Sequence, residues 1–346
     1  MKVKMADVAR YLGVSKATVS LAVNGKPGVN EQTRQKILDC IRQMEENGGN
    51  VPGQPKEGQS AVPNGWLTQM IKILVIDHQK QVVCDPELDL WPGVLSTFDA
   101  EARKLGYLCG ITYLNGPEEE TRKIIAECNL SLVAGVIFFG AEMEEADLQI
   151  AQQIHKPIVI YDYDPPNGAY SSVCVDNSRA VDLAFDLLHR SGAKKIRYLA
   201  TSKQIYNFEQ RRGAFRYAML RQGQTPQESD LVPLGSTIAE IASQTETYLQ
   251  THELPDAFLM ENYQVSMGFL TAAQRLGLKL PGQVKLVGID EIPSFFMPDA
   301  GLVQIRIPHK ERAIITMSLL DNEIKGIWQP KTRVMTRPTL LEGKTV

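Results

Sequence analysis

From Ile71 onward the chain keeps returning to one pattern: a short run that is apolar almost throughout, then a longer stretch with apolar residues three and four apart. The runs are IKILVID (71–77), YLCGITYL (107–114), VAGVIFFG (133–140) and PIVIYDYD (157–164), then KIRYLAT (195–201), DAFLMEN (256–262) and VKLVGIDE (284–291). Runs of this kind are strands covered on both faces, the environment of a parallel sheet. The intervening spacing predicts helices near 92–105, 117–129 and 143–154, and near 177–191, 208–222, 236–252 and 264–276. Repeated βα alternation closes into doubly wound α/β sheets with helices on both faces. Two series within about 275 residues predict two Rossmann-like lobes, with a ligand cleft at the strand C-termini.

The segment before this body is built differently. Met5, Val8, Ala9 and Leu12 form the stripe of a short helix that Gly13 ends. Ser15 is placed to cap a second helix reaching about Val23, with Val19, Ala22 and Val23 turned inward. After the loop Gly25–Gly28, Asn30 caps a third helix striped by Ile37, Cys40, Ile41 and Met44. Residues 48–65 then hold five glycines and the prolines Pro52, Pro55 and Pro63. Each glycine costs a helix roughly 1 kcal/mol and each proline about 3 kcal/mol, so no helix is expected there. Only the following Trp66–Met70 offers a short helical alternative. The expected organisation is a three-helix head over 1–47, a linker over 48–70, and a two-lobed body over 71–346. The first lobe takes about 71–175 and 305–333; the second takes about 176–304 and 334–346.

Charge separates the same parts. The formal total is −3, yet residues 1–36 carry seven basic and two acidic side chains, leaving about −8 for the remainder. A basic head on an acidic body points to a polyanionic partner for the head alone. Asp7 and Arg10 interrupt the apolar stretch a signal peptide needs, and no run of about 18 apolar residues occurs, so a cytoplasmic protein with no membrane partner is expected. Five cysteines without C-x-x-C spacing read as reduced thiols. The sequence lacks G-x-G-x-x-G after a strand, Walker A and G-x-S-x-G, and its five histidines lack metal spacing. No enzyme activity, cofactor or metal is expected.

On the second helix, Lys16, Ala17, Ser20, Leu21 and Asn24 share the face opposite the packed one. A short face of small, mostly uncharged side chains fits the major groove, where a few groups can read base edges. Ser15, Thr18 and Ser20 supply hydroxyls suited to phosphates, and Lys4, Lys26 and Arg34 supply neutralising charge. The stretch DVARYLGVSKATVSLAVNGKPGVNEQTRQKIL closely resembles the head of the lactose-repressor (LacI/GalR) family, matching at Asp7, Val8, Ala9, Gly13, Val14, Ser15, Thr18, Val19, Ser20, Asn24, Val29, Thr33 and Arg34. Residues 175–200, QRRGAF (210–215), LGLKLPGQVKLVGIDE (276–291) and VMTRPT (334–339) are similar to later family stretches. The resemblance implies a helix-turn-helix head on a periplasmic-binding-protein-like body. It also implies a homodimeric repressor of transcription on an operator of double-stranded DNA, under a small-molecule, sugar-like effector. It places Lys16, Ala17 and Leu21 in the base-reading slots and adds Thr33 to the DNA-contacting set with Lys4, Ser15, Thr18, Ser20 and Asn24.

For the effector, the resemblance points to Asp162, Arg211, Asn262 and Asp290, with Arg211 and Asp290 expected on opposite sides of the cleft. Carboxylates accept from hydroxyls, arginine donates in a fork, and asparagine does both. Tyr161, Tyr263, Phe295 and Phe296 are the aromatics expected to stack on a ligand face. Two departures favour a second reading, a two-lobed sensor with weakened or lost operator binding. Leu21 stands where the family usually has arginine and offers only an apolar contact. The linker also lacks the family's Ala-Arg pair and following leucine, so minor-groove insertion is not expected.

Overall fold

The computed structural model describes residues 5–12, 14–26, 28–46, 69–79, 90–296 and 301–346. Contacts divide the chain into Met1–Leu67 and Thr68–Val346. In the first unit, α1 (Met5–Leu12), α2 (Lys16–Val23) and α3 (Glu31–Glu46) enclose Val8, Ala9, Val19, Ala22, Ile37 and Cys40. An eight-residue helix does not persist alone in water, so α2 exists because Val19 and Ala22 are buried in this core. Ser15 caps it: the Thr18 N–H donates to Ser15 Oγ at 3.1 Å. Asn30 caps α3 through the Thr33 N–H at 2.7 Å. Val23, expected inward, is 39% exposed, because the inward positions of so short a helix end at Ala22. The expected linker helix-breakers at 48–65, and Trp66–Thr68, lie outside the described residues.

The second unit contains two six-stranded sheets. The first runs β2 (Leu108–Leu114), β1 (Met70–Ile76), β3 (Val133–Phe139), β4 (Ile158–Tyr161), β5 (Ser171–Val175) and β11 (Arg333–Thr336), all parallel. The second repeats that order with β7 (Leu231–Leu234), β6 (Ile196–Thr201), β8 (Ala257–Met260), β9 (Lys285–Ile289), β10 (Val303–Arg306) and β12 (Thr339–Leu341); only β12 is antiparallel. On β1, Ile71, Ile73 and Val75 face one core and Leu74 and Ile76 the other, which is why the run is apolar at every second position twice over. Helices α4 (Leu90–Lys104) and α11 (His309–Ile324) cover one face of the first sheet; α5 (Glu118–Cys128) and the four-residue α6 (Leu148–Ala151) border the other. In the second lobe α7 (Asn177–Arg190) and α8 (Tyr206–Arg221) cover one face, α9 (Ile238–Thr251) and α10 (Tyr263–Leu276) the other.

Three expectations need correction. The helix near 143–154 is a 3₁₀ turn, Glu145–Asp147, followed by the single turn of α6. The lobe boundary expected at 334 falls inside β11, which pairs with β5 in the first sheet; the chain crosses between Thr336 and Thr339. The boundary expected at 305 likewise falls inside β10, which stays in the second sheet.

α9 and α10 meet at Gly268, where a Cβ would lie 2.4 Å from Ile241 Cγ2 and 3.1 Å from the Ile238 carbonyl. Ile241 is itself fully buried and has nowhere to move. Gly268→Ala is expected to destabilise the chain by about 1–3 kcal/mol through overpacking. Urea denaturation checks this; an unchanged midpoint would show that the helices can part.

Candidate functional site

In the head, Ser15, Lys16, Ala17 and Asn24 are exposed, while Thr18, Ser20, Leu21 and Thr33 are half-buried. Lys4 lies outside the described residues. The hydroxyls are already committed locally: Ser15 Oγ and Thr18 Oγ1 share a hydrogen bond at 2.8 Å. Asn24 Nδ2 donates back to the Ser20 carbonyl at 2.9 Å. Arg34 Nη2 donates to the Lys26 carbonyl at 2.8 Å and ties the loop to α3. Lys16 is thus the charged side chain presented by the face expected to read DNA, and Leu21 sits beside Gly28.

The four residues expected to hold an effector surround one interlobe cavity, together with Ala141, Ile205, Asn207, Phe208, Tyr263 and His309. Asp162 follows β4 and Asp290 follows β9, equivalent strands of the two sheets. Both adopt left-handed backbone, φ 72° and 71°. The Asp162 N–H donates to the Val173 carbonyl at 3.0 Å, and the Asp290 N–H to the Ile305 carbonyl at 3.0 Å. Left-handed backbone is uncommon for a residue with a side chain and costs about 1 kcal/mol or more. Here it turns both carboxylates out of the strand direction and into the cleft.

Each carboxylate meets an arginine. Arg312, fully buried on α11, donates to Asp162 and lies over the Tyr161 ring, 4.7 Å from its centroid. Arg211, on α8, donates to Asp290 at 3.3 Å, to Asn177 Oδ1 at 2.9 Å and to the Glu261 carbonyl at 2.7 Å. Arg211 and Asp290 therefore belong to the same lobe and pair directly, rather than facing each other across the cleft. His309 crosses between lobes, with Nε2 3.1 Å from Asp290 Oδ1 and Nδ1 2.7 Å from Arg312 Nη2. Asn207 Nδ2, from the second lobe, reaches the Asp162 carbonyl at 3.3 Å. Asn262 caps α10, accepting the Val265 N–H at 2.9 Å, while its buried Nδ2 has no partner among the described residues. Behind the cavity, buried Glu261 takes Arg212 through both oxygens, at 2.7 and 2.9 Å.

Of the aromatics expected to stack on a ligand, only Tyr263 lines the cavity. Tyr161 is buried beneath Arg312, Phe296 packs toward Tyr263 and Met267, and Phe295 is 71% exposed. Sequence reasoning missed His309 and Arg312, because it assigned no helix between residues 305 and 333. The signal was there: Pro308 precedes Ala313, Thr316, Met317 and Leu320 at helical spacing.

Comparison with known proteins bears on both units. The profile of lacI-family bacterial regulatory proteins matches residues 4–45, and that of the periplasmic binding protein-like domain matches 185–346. The transcriptional repressor CytR of Escherichia coli is 25% identical over 344 residues, covering 99% of this chain and 96% of that protein. The chain belongs to the lacI family of transcriptional regulators. Two solved structures share the fold of this lacI-family regulator. A lac repressor dimer bound to operator and an anti-inducer superposes with TM-score 0.68 at 19% identity, covering 100% of this chain and 99% of that one. The regulator CelR in complex with cellobiose gives 0.69 at 18%, covering 99% of each. Relatives of this kind are regulators of transcription rather than enzymes.

Burial alone would push the Asp290 carboxyl up, but Arg211 and His309 outweigh it and hold it down at about 2, against an ordinary value of 3.8. A depressed carboxylate stabilises the fold fully above its unfolded value, and that contribution is lost as pH falls through the folded one. The shift corresponds to about 2 kcal/mol at 1.36 kcal/mol per unit. Stability is expected to fall by about that amount between roughly pH 4 and pH 2. Asp290→Asn should flatten this segment of the acid-unfolding curve. If the variant reproduces the wild-type slope there, the linkage lies elsewhere.

Proposed function

We propose that this regulator is a sequence-specific repressor, dimeric through its body, whose operator affinity is set by a neutral sugar-like effector bound between the lobes. The observation that carries the effector reading is the convergence of Asp162, Arg211, Asn262 and Asp290 on one cavity, with a buried donor, Asn262 Nδ2, left over. An unsatisfied buried donor costs about 1–3 kcal/mol, which a ligand acceptor oxygen recovers. The two carboxylates are already matched by two guanidiniums, so a charged effector would upset the balance and a polyhydroxyl compound would not. Phe208 and Tyr263 add apolar faces for the carbon side of a sugar ring.

The cavity is small, about 30 Å³, with room for water but not for a sugar ring. A sugar therefore enters only when the lobes move apart. Dimerisation is favoured by the free edge strand β2, whose Leu108, Ile111 and Tyr113 are 43%, 41% and 37% exposed. The regulator CelR holds cellobiose and the lac repressor dimer is bound to operator, which supports this reading by fold analogy.

Two measurements test it. Thermal shift of the purified full chain against neutral mono- and disaccharides, sugar phosphates and nucleosides should find its largest stabilisation among the neutral sugars. A hit confined to the phosphorylated or nucleoside sets would overturn the effector class. For DNA, selection from random duplexes should yield a two-fold related site. On that site Lys16→Ala should cost about 1–3 kcal/mol per head and relax preference at one base position in each half. Equal weakening on every sequence would make Lys16 a phosphate contact, and failure to select any site would favour the sensor with lost operator binding.

A further inference from the structure

Among the described residues, the charged network of the cleft runs from Arg312 of the first lobe to Asp290 of the second through the His309 imidazole. Arg312 has only donors, so at 2.7 Å the His309 Nδ1 must be its acceptor and carry no proton. The ring proton then sits on Nε2 and points at Asp290 Oδ1, 3.1 Å away. The groups around the ring fit this one tautomer: Arg312 on its own helix, Asp162 behind Arg312, Asp290 from β9, Arg211 behind Asp290, and Tyr161, whose hydroxyl donates to the His309 carbonyl at 3.1 Å. In this arrangement the ring works as a relay, accepting from the first lobe and donating to the second.

We propose that His309 is the positioning residue that couples the lobes to the effector. Its Nε2–H occupies the carboxylate oxygen of Asp290 to which an effector hydroxyl would donate, so the closed arrangement is held by a side chain that stands in for the ligand. A ligand that takes Asp290 displaces His309, and through it frees Arg312. The second part rests on the effector reading above; the relay itself does not.

Both are tested on the full chain without any effector. Leucine matches the bulk of the imidazole but relays nothing. Glutamine can accept from Arg312 and donate to Asp290. In amide exchange, His309→Leu should speed exchange at the Asp162 and Asp290 amides about tenfold or more, whereas His309→Gln should stay near wild type. Two-bond ¹⁵N–¹H correlation of the five histidines should show that the ring signal lost in His309→Gln is the one of an Nε2-protonated tautomer. Protection in His309→Leu equal to wild type would overturn the proposal, as would equal loss in both variants, or a His309 ring protonated at Nδ1. Failure of the sugar panel would leave these results standing, and failure here would leave the sugar site standing without its relay.

Discussion

Two carboxylates and two guanidiniums are taken out of water where the lobes of the body meet, and much of the surrounding structure follows from that. An ion moved into a protein interior costs several kcal/mol unless it is paired and its remaining groups are satisfied. Arg211 meets the demand with Asp290, Asn177 and the Glu261 carbonyl, so α7, α8, β8 and β9 must all end at one place. Arg312 meets it in part, with Asp162 and His309, and rests on Tyr161, while its buried Nε has no partner among the described residues. Tyr161 is in turn fixed by Phe139, stacked at 4.8 Å, and by Phe98, edge-on at 5.4 Å. The aromatic core of the first lobe thus reaches the cleft through one ring.

The two lobes repeat a strand order and an aspartate, but complete the site in different ways. Asp290 finds its arginine on α8, within its own lobe and earlier in the chain. Asp162 finds its arginine on α11, which the chain reaches only after building β6 to β10 of the other lobe. The first sheet also takes its last strand, β11, from this returning segment. The first lobe is therefore finished last, by contacts about 150 residues apart in sequence. A body of this kind cannot be cut between its lobes without leaving Asp162 buried and unpaired.

The strands were legible because a sheet covered on both faces writes itself as runs such as ILVI and VIFF, and the head because its family pattern is dense. Short edge and closing strands escaped notice. β7 carries Pro233, and β11 and β12 are four and three residues long with mixed exposure, too short to show a period. The residues that line the interlobe cavity were found only in part. Asp162 and Asp290 came from the family resemblance, but nothing local to Arg312 reports its partner, which lies 150 positions away. His309 was set aside for lacking metal spacing, a test that does not bear on a histidine placed to relay hydrogen bonds. Side-chain direction, as in the Arg211–Asp290 pairing, is fixed by tertiary packing and is invisible to spacing.

The head shows the opposite economy. Its second helix, α2, spends most of its polar groups on itself: Ser15 and Thr18 close the N-terminal cap, and Asn24 folds back on Ser20. These bonds make an eight-residue helix hold its shape before DNA arrives, and they leave Lys16 as the chief unengaged donor on that face. A single base contact is worth about 1–3 kcal/mol of discrimination, far short of the roughly 4–10 kcal/mol that separates specific from non-specific binding. Leu21 adds at most an apolar contact. One head of this construction is too sparse to find a site alone, and the dimer proposed above supplies the remaining selectivity through a second head.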